Sequence, residues 1–138
     1  MQKVTNNVVD INQAKKDPWE IEWERCKPWL VKAMKYQDTY TIDDIEDKIR
    51  NGIALLWPGK KSAMVTEIIP FPQMLSMNIL VFAGNFKEFE EIEEMFKCIE
   101  NYAKEVGIKK ITGSGRKGWL RKIKHLGFKP DYVVSKDL

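Results

Sequence analysis

Met74-Leu-Ser-Met-Asn-Ile-Leu-Val-Phe-Ala83, the turn Gly84-Asn85 and the charged stretch after it decide the fold of this 138-residue chain. The first part is an apolar run of strand length. In the last part Phe89, Ile92, Phe96, Ile99, Ala103 and Val106 recur every three or four residues. That period gathers apolar groups on one helix face and leaves the other charged. Strand, tight turn and amphipathic helix make half of a crossover unit. Backbone N–H groups left free at a helix start attract anions, so this turn bears on function as well as on fold.

Downstream, Gly107 is the expected helix cap and Ile108–Thr112 the next strand, parallel to Met74–Ala83 through a right-handed crossover. Gly113 to Gly118 is a turn. Trp119, Ile123 and Leu126 mark a short helix closed by Gly127, and Phe128 to Val134 is expected to return as a last strand. Upstream, Ile53–Trp57 and Ser62–Ile69 are two strands separated by Pro58-Gly59-Lys60-Lys61, with a break at Pro70-Phe71-Pro72. Together with Met74–Ala83 they form an antiparallel meander.

Two helices precede the meander. Thr41-x-x-Asp44 is a capping-box start, Ile42, Ile45 and Ile49 are its apolar stripe, and Asn51-Gly52 is a left-handed end. Asp17-Pro18 starts the earlier helix, whose apolar face is Trp19, Trp23, Cys26, Leu30, Ala33 and Met34. Pro28 either kinks this helix or divides it. Trp19, Trp23 and Trp29 read as amphipathic cover for a core rather than as a stacking platform. Residues 1–16 are polar and aperiodic, with Val8, Val9 and Ile11 forming an edge strand or packing loosely. The expectation is one α+β domain over residues 17–138, in the order α-α-β-β-β-α-β-α-β.

Apolar content of 43% and charged content of 31% suit a globular domain with a core of its own. Cys26 and Cys98 lie in separate helices without metal-ligand spacing and read as buried free thiols in a reducing cytoplasm. No apolar run reaches the ~20 residues that span a bilayer, and the start lacks a signal peptide's hydrophobic region. The expected location is therefore the cytoplasm, with neither membrane nor metal partner. The net charge of +3 is small but uneven. Residues 86–106 hold seven Glu against three Lys, whereas residues 107–130 hold eight Lys or Arg and no acid.

The element order and the His125-Leu-Gly-Phe128 ending resemble the GNAT superfamily of N-acetyltransferases over residues 18–137. Leu55-Leu-Trp-Pro-Gly59, Val65-Thr-Glu-Ile68 and Gly115-Arg-Lys-Gly-Trp119 further resemble small GNAT-like proteins of tailed bacteriophages, some of them virion components. The resemblance implies a GNAT-like mixed sheet and acetyl-CoA as cofactor. It implies that backbone groups of Leu80, Val81 and Phe82 meet the pantetheine arm, and that Gly84 and Asn85 meet the pyrophosphate. The family loop carries several glycines and a Gln or Arg. Here there is one glycine, and Glu88, Glu90 and Glu91 follow it, complementing the helix dipole themselves and repelling a pyrophosphate. The family's Asn and Tyr positions in the short helix are Arg116 and Ile123, and isoleucine donates no proton.

Glu67 is the lone acid in the apolar run Met64–Ile69 and the candidate general base, since cleft burial raises a carboxylate's pKa. Alternation leaves its face open, with a solvent-facing or salt-bridged state as the competing reading. His125 reads as a polar residue on the outer side of the short helix. Gly113-x-Gly-x-x-Gly118 lacks the partners of a dinucleotide or P-loop motif. Its backbone N–H groups, with Arg116, Lys117 and Arg121 around them, still suit an anion. The tract 109–129 could meet nucleic acid or stand as a solvated basic face.

Two function classes stay open. One is a degenerate GNAT-fold protein acting as a binding or virion-associated module, with a protein partner in a phage particle or host. The other is an acetyl-CoA-dependent N-acetyltransferase with an atypical pyrophosphate turn.

Overall fold

The computed structural model describes residues 17–84, 89–115 and 117–138, and at Phe89 and Lys117 the backbone alone. The expected edge strand around Val8–Ile11 lies outside the described residues. Four strands form one mixed sheet in chain order: β1 (Ala54–Pro58), β2 (Ser62–Phe71), β3 (Met74–Gly84) and β4 (Ile108–Gly113). The pairs β1–β2 and β2–β3 are antiparallel and β3–β4 is parallel, as the meander and crossover require.

Helices cover both faces. On one side lie α1 (Pro18–Met34) and α2 (Ile42–Arg50), with Trp23, Cys26, Leu30, Ile45 and Ile49 buried against Ala63, Val65, Val81 and Ala83. On the other lies α3 (Phe89–Glu105), with Ile92, Met95, Phe96, Ile99 and Ala103 against Met64, Met77 and Phe82. The short α4 (Lys117–Ile123) and the 3-10 turn Lys124–Leu126 add Trp119, Ile123 and Leu126 to this second core.

The local signals act as their chemistry dictates. Thr41 Oγ1 accepts from Asp44 N at 3.2 Å while Asp44 Oδ2 accepts from Thr41 N at 2.8 Å, a complete capping box. Asp17 precedes α1 in an extended conformation without a side-chain cap, and Pro18 takes the first turn, where its missing N–H has no partner to lose. The helix then runs through Pro28, which sits on the exposed side. The tryptophans do cover a core. Trp23 is buried, donating to Glu46 Oε1 at 2.8 Å, and Trp19 and Trp29 pack on the same cluster beneath the guanidinium groups of Arg50 and Arg25.

Four expectations need correction. Phe128 to Val134 forms no strand; Phe128 packs into the second core, and the residues after it find no ladder to join. The element order therefore ends at the short helix. Pro70 and Phe71 belong to β2, because β1 pairs no further than Ala54↔Glu67 and a proline without an N–H is tolerated on the open edge beyond. Cys98 is exposed, one residue and about 100° round the helix from buried Ile99. Val106 lies just past α3 and is 39% exposed. Cys26 is buried as expected, and burial pushes its thiol pKa up.

Phe96 is 1% exposed at the centre of the second core. Phe96→Ala is expected to destabilise by about 3–5 kcal/mol and Thr41→Ala by about 1 kcal/mol, whereas Cys98→Ser changes little. Urea unfolding of the three variants checks the ranking.

Candidate functional site

The sheet opens between its last two strands. β3 and β4 pair from Leu75↔Ile108 to Ile79↔Gly113 and then part. At the same level Leu80 has no partner in β2, because the register shifts between Val65↔Val81 and Thr66↔Ile79. Leu80 and Val81 therefore both turn toward α1 and α2, while Ile79 and Phe82 turn toward α3. Beyond the bulge, Val81 to Gly84 keep β2 on one side, and among the described residues no strand lies on the other. The three residues expected to meet a pantetheine arm thus lie where the backbone edge is open.

On the α1/α2 face, a row of polar side chains crosses the sheet just below the bulge. Lys48 of α2 stands 3.2 Å from Glu67 Oε1. Asn78 Nδ2 donates to Glu67 Oε2 at 3.5 Å, and Thr112 Oγ1 donates to Asn78 Oδ1 at 3.3 Å. The Tyr40 ring lies 5.5 Å from the Lys48 ammonium. Glu67 is therefore the salt-bridged carboxylate that the competing reading described, with an ammonium on one oxygen and an amide on the other. A groove of about 370 Å³ opens beside this row, between Ile69, Phe71 and Met74 and the polar Ser76, Lys110 and Thr112. Lys48, Asn78 and Thr112 escaped sequence reasoning. Asn78 carried the same signal as Glu67, a polar residue inside an apolar strand.

At the other end of β3, Gly84 is paired with Ser62 at φ 134°. A Cβ there would collide with Ser62 Cα and the Lys61 carbonyl oxygen, so the close approach of two strands already demands glycine. Asn85, Glu88 and Arg116 lie outside the described residues. Lys117 begins α4, and its side chain is likewise not described. Arg121, Lys122, Lys124 and Lys129 are exposed along the basic tract, as are Lys109 and Lys110. His125 is exposed too, with Nε2 3.5 Å from a Glu93 oxygen.

Glu91 behaves differently from its acidic neighbours. Its Oε1 accepts from the backbone N–H of Lys61 at 2.9 Å and from Ser62 Oγ at 2.8 Å, in the turn between β1 and β2. A Cβ on Gly59 would strike the same oxygen. Arg25 holds the turn from the opposite side, donating to the carbonyls of Gly59 and Lys60 at 2.7 and 3.1 Å. The expectation that Glu91 merely complements its own helix is thereby sharpened. This carboxylate takes the amides of a neighbouring turn.

Between α3 and α4, over the parted strands, the space is filled by rings. Trp119 stacks on Phe82 at 4.3 Å, Phe82 meets Phe96 edge-on at 5.7 Å, and Phe128 meets Phe96 at 5.3 Å. Ile123, at the position where the resembled family has its tyrosine, packs with them. Among the described residues no group of three His, Cys, Asp or Glu could hold a metal, and no helix is long and apolar enough to cross a membrane.

Burial pushes the Glu91 pKa up, but the hydrogen bonds from Lys61, Ser62 and Lys60 together outweigh it and leave the pKa below its usual 4.5. A carboxylate depressed on folding stabilises fully above its unfolded pKa and loses that contribution as pH falls through the folded one. Glu91→Gln is thus expected to cost about 1–2 kcal/mol at neutral pH. The gap to the parent should close as the medium is acidified below pH 4.5. Denaturant titrations across that range measure it.

No protein-family model matches the chain, and no curated protein is significantly similar to it in sequence. Among solved structures, the fold is similar to that of TTHA1254 from Thermus thermophilus. Its wild-type and point-mutant crystal structures each give a TM-score of 0.61 at 12% identity. The match covers 86% of this chain and 92% and 91% of those chains. At that identity the likeness is one of fold.

Proposed function

We propose that this chain is a small, phage-encoded protein of GNAT shape whose acetyl-CoA chemistry has been lost, and that it acts as a binding or virion-associated module. The observation that carries this reading is the stack of Trp119 on Phe82. It stands over the parted strands, where a GNAT-like cofactor arm would have to pass. Two further features agree with it. Glu91 sets a carboxylate against the turn beside Gly84, so an arriving pyrophosphate would meet a negative charge already holding the local N–H groups. Ile123 offers no acid for a leaving thiolate. The exposed cations of residues 109–129 supply the surface through which a protein partner or nucleic acid would be met.

A second reading is favoured by the bulge at Leu80 and the open backbone edge after it. In an acetyl-CoA-dependent N-acetyltransferase, that edge would bind the pantetheine amides. Glu67 would take the proton of the acceptor amine, directly or through water, with Lys48 and Asn78 holding the carboxylate in place. The tyrosine acid would have no counterpart.

Acetyl-CoA separates the two. The module reading expects no rise in melting temperature at millimolar acetyl-CoA and no CoA release with any amine offered. A reproducible rise together with turnover abolished by Glu67→Gln would establish the enzyme instead. For the module, changing Arg116, Lys117 and Arg121 together to Glu should weaken binding to duplex DNA or to virion proteins by at least about tenfold, given several lost charge contacts. Unaltered binding would make the basic face a merely solvated one.

A further inference from the structure

The apolar core under α1 and α2 does not reach the lower end of the sheet. Ile69, Phe71 and Met74 lie beyond it, and Phe71 and Met74 keep 53% and 40% of their surface. With Ser76, Lys110 and Thr112 they line the groove of about 370 Å³. Apolar surface gathered in such a groove gains from being covered. The C-terminal tail carries groups that match it. The tail leaves the second core at Phe128, held against Phe96, and Asp131 then comes within 3.9 Å of Lys110 Nζ. Lys110 lies beside Ser76 on the groove side of the sheet, so this contact brings the tail round β4 to the groove's rim. The next three residues, Tyr132, Val133 and Val134, are aromatic or branched and stand in solvent with 88%, 84% and 94% of their surface. Neighbouring strands lie about 4.8 Å apart, so Ile69, two strands over from Lys110, is roughly 10 Å away. Roughly three extended residues cover that distance.

We propose that the C-terminal tail is a strap for this groove: Asp131 on Lys110 is its latch, and Tyr132 to Val134 close over Ile69, Phe71 and Met74. Attachment selects the occupant. A segment tethered at Phe128 and held at the rim by an ion pair meets the groove at a high effective concentration, whereas a separate partner must be gathered from solution. The latch is an exposed pair, so it is weak, and salt loosens it. Closing covers the Thr112 end of the row that runs through Asn78 to Glu67, so a ligand entering from the groove must first displace the tail. This inference is independent of the function proposed above.

Disulfide trapping tests it, in the full chain carrying Cys98→Ser. Met74→Cys with Val133→Cys forms the test pair. Lys60→Cys with Val133→Cys is the control, since Lys60 is exposed in the turn at the opposite end of β2 from Phe71. In a glutathione buffer at micromolar protein, the test pair is expected to close at least about tenfold faster than the control, with the product at 16.2 kDa. Lys110→Glu should slow that closure severalfold, and adding Asp131→Lys should restore it. All of these positions are exposed, and an unchanged circular dichroism spectrum confirms that the fold is kept. Equal rates for the two pairs overturn the proposal, as does a product of twice the mass or a charge swap that restores nothing. Faster closure of Met74→Cys with Val9→Cys gives the groove to residues 1–16 and equally overturns it.

Discussion

β3 must serve two cores at once, and the fold depends on how it does so. It is flanked by β2 and β4, and apolar layers lie against both of its faces. Strict alternation along eleven residues would carry one set of side chains to each face without interruption. The unpaired Leu80 breaks that alternation, so that Met77 and Ile79 face α3 below the bulge and Leu80, Val81 and Ala83 face α1 and α2 above it, with Phe82 turned back. The added local twist of a bulge accompanies the parting of β3 from β4 directly after Ile79↔Gly113. One extra residue thus coincides with the opening of the sheet.

What fills that opening on each face sets the chemistry within reach. On the α3 side, aromatic rings occupy it, and each ring buries enough surface to contribute substantially to stability. On the α1/α2 side the row from Lys48 to Thr112 remains polar, because its groups answer one another. At the upper end, Arg25 and Glu91 grip the β1–β2 turn from two helices that lie on opposite faces of the sheet. This clamp ties the two layers together. It also gives a structural role to an acid in the first turn of α3.

Much of this was legible in the chain. Capping at Thr41, termination at Gly52 and Gly107, the helical stripe from Ile92 to Ala103 and the parallel return at Ile108 are consequences of local chemistry and period. The failed strand at Phe128–Val134 shows the limit. Its residues favour an extended conformation, but a strand exists only with a neighbour, and residue type says nothing of whether one is present. Glu67 was visible as an acid among apolar residues, yet its partner Lys48 sits 19 positions away on another element. Asn78 and Thr112 join it from strands that meet only after the crossover is made.

The sequence by itself determined the elements from α1 to α4, their order and most of the apolar positions they bury, since these follow from dihedral preference, capping and hydrophobic period within a few turns of chain. Only the tertiary structure decided which side of the sheet Glu67 faces, that Glu91 reaches across to the β1–β2 turn, and that rings close the space over the parted strands. Those outcomes depend on register and layer packing. A shift of one residue at Leu80 exchanges the faces of every side chain beyond it, and no local signal in the run Asn78-Ile-Leu-Val-Phe82 marks where that shift falls.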